Sequence, residues 1–159
     1  MTSRHPTAHQ GALHQIVIVG GGAGGLELAT KLGNTVGKRG KARIQLINKA
    51  RAHLWKPLLH EVAAGSMDLG VHELNYLAQS HWHHFRYRLG EMVGLDRQRR
   101  EVQVAPVIDE DGEEITPRRA FSYDTLVIAV GSLTNDFGTP GVKEHAIALE
   151  TPRDRKSVV

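Results

Sequence analysis

Between residues 15 and 48 the apolar side chains change their spacing twice. Ile16, Val17, Ile18 and Val19 form an unbroken apolar run that ends in glycines, which suits a strand covered on both faces of a parallel sheet. Leu26, Ala29, Leu32, Gly33 and Val36 then recur at helical intervals, and Gly37 with Lys38, Arg39 and Lys41 supplies a stop with cations near the negative end of the helix. Ile44, Leu46 and Ile47 place a second strand at Arg43–Asn48. Strand, helix and strand together make a βαβ unit of about 30 residues.

Further along, His53 to Gly65 reads HLWKPLLHEVAAG, apolar but irregular, and Pro57 interrupts a continuous helix, so a loop leading into a short helix is expected there. A helix is predicted over Val71–His81. Strand-like stretches at Phe85–Leu95, Glu101–Ile108 and Ile115–Tyr123, separated by DRQRR and DEDGEE, read as an antiparallel β-meander. Thr125–Val130, a short apolar run ending in Gly131, reads as another buried strand of the parallel sheet. The predicted fold is α/β and Rossmann-like, with a parallel sheet and an antiparallel β-meander. Residues 1–14 are polar, lack periodicity and are expected to form a disordered leader. The ordered domain is placed at 15–152 and a tail at 153–159. Thr151, Pro152 and Asp154 would open a helix that the chain does not continue, so the domain is expected to be truncated and the sequence a fragment.

A hydrophobic share of 40% over 159 residues can fill the core of one domain. The formal charge of +3, from 20 basic and 17 acidic residues, forms no basic face or tail of the kind nucleic acid requires, so no nucleic-acid partner is expected. The chain has no apolar run near the roughly 18 residues of a spanning helix and opens without the apolar core of a signal peptide. A cytoplasmic location follows as the expectation. The sequence has no cysteine, which excludes disulfides, thiolate metal sites and dithiol redox chemistry within it.

Chemistry enters at the first turn. Gly20, Gly22 and Gly25 form G-x-G-x-x-G between the first strand and the first helix, the context in which that spacing carries meaning. The first glycine permits the tight turn, the second lets backbone approach a pyrophosphate, and the third lets helix and strand pack closely. Ala23 and Gly24 open the helix, whose unpaired N–H groups and dipole favour an anion. A dinucleotide is the natural occupant, and the motif alone does not choose FAD over NAD. Asn48 stands where an acidic residue usually accepts hydrogen bonds from ribose hydroxyls; its amide oxygen can still accept one, without the charge. Lys49 could meet a phosphate or point to water. His81, Trp82, His83 and His84 lack a carboxylate or cysteine at supporting spacing, so they read as a solvated helix end and no metal site is expected.

Taken together, VIVGGGAGG at 17–25, HLWKPLLHEVAAG at 53–65 and YDTLVIAVGSLTNDFGTPG at 123–141 resemble the type II NADH:quinone oxidoreductases, over a stretch from Gln15 to Pro152. The resemblance implies a first dinucleotide fold that holds FAD and a second, inserted one that takes NADH and is absent here. It implies that Gly20, Gly22, Ala23, Gly24 and Gly25 hold the FAD pyrophosphate, that Asn48 takes the ribose position with Lys49 next along the chain, and that backbone near Met92 meets the adenine. Ala129, Val130 and Gly131 match a segment passing close to the flavin, with valine where the family has threonine. Lys56, Pro57 and Leu58 fall where the family lines the isoalloxazine edge, and Lys56 could favour the anionic reduced flavin or simply face water. His53, His60 and Trp55 flank that loop as possible flavin neighbours or as ordinary packing residues. The implied reaction carries hydride from NADH to FAD and two electrons on to a quinone; no catalytic residue is assigned. The fragment alone is expected to be inactive. Membrane contact is implied only for the missing C-terminal region, with the parent protein peripheral on the cytoplasmic face of the inner membrane. Disulfide reductases and sulfide:quinone oxidoreductases share the fold but use redox cysteines, and ferredoxin and rubredoxin reductases match residues 53–65 less well. A non-catalytic nucleotide-binding module is the reading from a different class.

Overall fold

Successive side chains of a strand point to opposite faces, and the first strand uses both. Ile18 packs with Leu26, Ala29, Ile44, Leu46, Tyr76, Phe85 and Tyr87 on one face. Val17 and Val19 pack with Ile47, Val102 and Val104 on the other. The computed structural model describes residues 13–53, 61, 74–109, 111–132 and 135–146. In chain order its elements are β1 (His14–Val19), α1 (Ala23–Leu32), β2 (Ala42–Asn48), β3 (Ala52–His53), β4 (Leu74–Asn75), α2 (Tyr76–Trp82), β5 (Arg86–Leu89) and β6 (Met92–Asp96). They continue as β7 (Glu101–Val104), β8 (Val107–Ile108), β9 (Glu114–Thr116), β10 (Arg119–Ser122), β11 (Thr125–Ile128) and α3 (Val142–His145).

Four strands form a parallel sheet in the order β11-β1-β2-β5, with Val19 in register with Ile47 on one side and Ile128 on the other. Helices α1 and α2 cover the face that carries Ile18, Ile44 and Leu46. An antiparallel sheet in the order β10-β7-β6 covers the opposite face through Val102 and Val104. The result is a layer of helices, a parallel sheet and a meander, the α/β architecture expected from the sequence.

Boundaries differ from expectation where glycine and proline act. The stretch Phe85–Leu95 is two strands: β5 joins the parallel sheet beside β2, and the chain turns at Gly90, whose φ of 152° suits only glycine, before β6 starts the meander. Pro106 and Pro117 lack the N–H that a ladder requires, and the expected strands at 101–108 and 115–123 break around them. The pieces between the breaks, β8 and β9, pair as a separate hairpin. The helix expected to reach Gly37 keeps regular geometry to Leu32 and finishes as a five-residue π-helical stretch over Gly33–Gly37. Gly33 lies so close to the carbonyl of His83 that a side chain there would collide with it.

The second helix begins at Tyr76 rather than Val71, because Leu74 and Asn75 pair with β3 and the Asn75 side chain caps the helix by accepting from the N–H groups of Leu77 at 2.9 Å and Ala78 at 3.2 Å. Strand β11 was expected to be covered on both faces. Among the described residues it is an edge strand with β1 as its neighbour, and Ile128 is exposed. Most of the expected leader, Lys56, Pro57, Leu58, the helix start at Thr151–Asp154 and the tail at 153–159 lie outside the described residues.

Candidate functional site

The parallel strands end together at their carboxyl edge, and backbone hydrogen bonds carry the ladder into the loops beyond. Gly20 N–H donates to the Ile47 carbonyl at 2.8 Å, Ala129 N–H to the Val19 carbonyl at 2.7 Å, and Gly90 N–H to the Asn48 carbonyl at 3.0 Å. The chain runs outward from β1 through β2 to β5 and returns by way of the meander to β11 on the other side of β1, so the strand order reverses between β1 and β11, a switch point of the kind where open α/β sheets form their ligand crevice. An open cleft of about 360 Å³ lies there, and its walls include Gly20, Asn48, Lys49, Met92, Val130 and Gly131. Six residues singled out from the sequence thus meet in one place. Ala129 supports the cleft through its N–H bond, and Gly22, Ala23 and Gly24 stand exposed at the start of α1.

The glycines act through what they lack. Gly20 has a φ of 103°, and a Cβ there would strike the Ala129 carbonyl; a Cβ on Gly25 would strike the Gly20 carbonyl oxygen. Around Gly22 the corresponding position meets nothing within 4 Å. Helix α1 has Gly22 as its N-cap, no side chain capping it and no acidic residue in its first turn. Its first N–H groups and the positive end of its dipole are therefore offered to solvent, a geometry that fits the phosphates of a dinucleotide.

Asn48 does not reach into the cleft with a free amide. Its Oδ1 accepts the Gly21 N–H at 3.0 Å and its Nδ2 donates to the Ala50 carbonyl at 3.2 Å, so the side chain ties the end of β2 to the glycine turn. Beside the cleft, Lys49 Nζ lies 3.9 Å from Glu91 Oε1, and both side chains are largely exposed, a pair worth little in stability.

Beneath the turn sits an aromatic group that sequence reasoning missed. The Tyr76 hydroxyl donates to the Gly21 carbonyl at 2.5 Å, and its ring stacks on Tyr87 with centroids 5.1 Å apart. The Tyr87 hydroxyl donates to the Ala50 carbonyl at 2.6 Å, and His53 lies 6.3 Å from Tyr76, ring to ring. Burial pushes the Tyr76 phenol far above its ordinary range, with Tyr87 adding to the effect. Burial likewise pushes Tyr87 up to about 12 against the opposing pull of Arg51. Both hydroxyls stay protonated and remain donors. No local pattern marks Tyr76, because its partner is 55 residues away.

Burial holds the His53 ring below its ordinary value of 6.5, opposed by a hydrogen bond with the Gly21 backbone. In the unfolded chain the ring takes up a proton near 6.5; in the folded chain it does so only at lower pH. Its contribution to stability is thus complete above 6.5 and is lost as pH falls through the folded value. Urea unfolding of the wild type should therefore weaken more between pH 7.5 and 5.5 than that of His53→Phe; parallel losses would remove His53 from the explanation.

Histidines 81 and 83 are engaged locally: the His81 ring meets Trp82 edge-on at 5.6 Å, and His83 Nδ1 lies 3.0 Å from the Asn34 amide nitrogen. Among the described residues no helix is long and apolar enough to cross a membrane.

The family model for pyridine nucleotide-disulphide oxidoreductases matches residues 14–158. A type II NADH:quinone oxidoreductase of Haemophilus influenzae is 45% identical over 141 residues, covering 89% of this chain and 32% of that protein. The type II NADH:quinone oxidoreductase NdhA of Mycobacterium tuberculosis is 33% identical over 158 residues, covering 94% of this chain and 31% of that protein. The solved structure of NDH2 from Plasmodium falciparum in complex with NADH superposes with a TM-score of 0.72 at 23% identity, over 92% of this chain and 28% of that one. The chain spans about a third of the length of the curated relatives it matches.

Proposed function

Because the chain belongs to the pyridine nucleotide-disulphide oxidoreductase family, we propose that it forms the FAD-binding portion, centred on residues 15–152, of a type II NADH:quinone oxidoreductase. The observation that carries this reading is the open, acid-free start of α1 behind a glycine turn at the sheet's switch point, in a chain 45% identical to an enzyme of that name. In this reading the N–H groups at Gly22, Ala23 and Gly24 take the pyrophosphate, helped by the helix dipole. The adenosine half follows the cleft past Asn48 and Lys49 toward the backbone at Met92. Ala129, Val130 and Gly131 flank the flavin. Val130, 65% exposed, offers apolar surface that a planar ring would cover. Lys56, Pro57 and Leu58, outside the described residues, complete the proposed set. When bound, FAD supplies the hydride acceptor that NADH reduces and that a quinone reoxidises; this chain's residues bind and orient it. With no cysteine in the sequence, the thiol chemistry of other family branches has no donor here.

NADH as donor, quinone as acceptor and contact with the membrane belong in this reading to the remaining length that the relatives carry. The reaction is tested by following NADH oxidation with a soluble quinone. A protein comprising this chain and that further length should consume NADH and reduce quinone one to one, and this chain alone should do neither. Quinone-independent NADH loss by the longer protein would remove the proposed activity.

Asn48 gives a second test. Asn48→Leu leaves the Gly21 N–H without its acceptor, and a turn that loses one buried hydrogen bond should bind FAD about tenfold more weakly in a fluorescence titration. Unchanged affinity would show that the tie is dispensable.

A further inference from the structure

Gly21 occupies a variable position of the G-x-G-x-x-G spacing, and its being glycine has a cause in the fold. A Cβ on Gly21 would lie 2.5 Å from the Tyr76 hydroxyl oxygen, within the space that the phenol fills. Both backbone polar groups of Gly21 are held from within the protein: its N–H by Asn48 Oδ1 at 3.0 Å and its carbonyl by the Tyr76 hydroxyl at 2.5 Å, with the His53 ring also hydrogen-bonded to the Gly21 backbone. Tyr76 is itself fixed, only 1% exposed and stacked on Tyr87 at an interplanar angle of 15°. Asn75, immediately before it, caps α2 and sets where the ring enters the core.

The Gly21 carbonyl and the Gly22 N–H belong to one planar trans peptide and so point in opposite directions. With the carbonyl turned inward onto Tyr76, the N–H turns outward, at the residue whose surroundings are open to 4 Å. We propose that Tyr76 is a positioning residue for the glycine turn: its hydroxyl fixes the Gly21–Gly22 peptide plane so that the Gly22 N–H stands as a preset donor to a ligand phosphate. The inference rests on the dinucleotide reading above and names the device that sets its first donor. Without the hydroxyl the peptide loses this anchor and keeps the bond with the His53 ring, so its plane is held less firmly and binding must first order it. Burial keeps the phenol protonated, so the hydroxyl remains a donor to the Gly21 carbonyl.

The test compares the wild type, Tyr76→Phe and Tyr87→Phe. Each variant loses one buried hydroxyl from the same stack, but Tyr87 bonds the Ala50 carbonyl at 2.6 Å and, more distantly, the Asn48 carbonyl at 3.4 Å, and makes no bond to the glycine turn itself. FAD and ADP are titrated by fluorescence and calorimetry, melting temperatures are recorded without ligand, and the Gly22 amide is followed by proton–nitrogen NMR. Tyr76→Phe should weaken both ligands about tenfold, the equivalent of one lost charge-assisted hydrogen bond. Tyr87→Phe should lower the melting temperature similarly and leave affinity within about twofold. In the wild type, ADP should move the Gly22 amide proton downfield, and Tyr76→Phe should lose most of that shift.

Equal weakening by both variants, full affinity in Tyr76→Phe, or a wild-type Gly22 amide unmoved by ADP would each overturn the positioning role. A wild type that binds ADP but not FAD would overturn the cofactor assignment alone, and Tyr76 would then stand or fall on the ADP arm. A wild type that binds neither overturns both.

Discussion

Gly25→Ala should lower FAD affinity by about a hundredfold or more. The added methyl would strike the Gly20 carbonyl oxygen, a backbone atom of the turn itself, with the Ala129 side chain close behind. No rotamer relieves a Cβ clash, so α1 and the turn must separate until carbon and oxygen reach van der Waals distance, a shift on the order of 1 Å or more. Displacements of that size in a binding constellation are worth about a hundredfold. The same overpacking should remove about 1–3 kcal/mol of stability. Gly24→Ala makes the contrast, because a Cβ there meets nothing within 4 Å. An alanine in that exposed helical position should leave stability unchanged or raise it by about 0.5–1 kcal/mol. Fluorescence titration and urea unfolding of the pair decide the matter; if Gly25→Ala keeps both affinity and stability, the close approach of helix and strand is not what that glycine provides.

Leu46→Ala should destabilise the fold by about 2–5 kcal/mol. Leu46 is 0% exposed at the centre of β2, paired in register with Ile18 and Tyr87, and packed under the helices. Truncation leaves a cavity bounded by two neighbouring strands and α1, elements that cannot close onto it without losing ladder hydrogen bonds. Against a typical total of about 5–15 kcal/mol, a loss of this size should lower Tm on the order of 10 °C. Ile115→Ala, at a position 56% exposed on the separate hairpin, should change stability by less than about 0.5 kcal/mol. Equal effects at the two positions would mean that the core is not organised around the parallel sheet.

What could be read from the sequence was what local chemistry dictates. The switch from the unbroken run at Ile16–Val19 to the helical spacing from Leu26 located β1, α1 and β2, since burial on both faces and burial on one stripe leave different periods. Glycines at 20, 22 and 25 were legible because their task is the absence of a side chain. Strand β5 was not: in Arg86, Tyr87, Arg88 and Leu89 charged residues alternate with apolar ones, as on the edge of a sheet, and that alternation reads as part of a meander. Pro106, Pro117 and Gly90 carried the true boundaries, but their effect depends on which neighbours need the missing N–H or the positive φ. Asn48 lines the cleft, but its engagement with Gly21 could not be read, because that partner is 27 residues distant. Tyr76 was invisible for the same reason: a hydroxyl that meets the turn from the next connection, beyond β2, leaves no mark on its own segment.

The visible absorption spectrum of this chain, purified and recorded with and without added FAD, is the most direct test of the proposed cofactor site. A protein that retains about one FAD per chain after removal of free ligand, with its flavin bands shifted from those of FAD in water, is the result expected. A folded chain that leaves FAD unbound while binding NADH would contradict the assignment and make the glycine turn a nicotinamide-dinucleotide site instead.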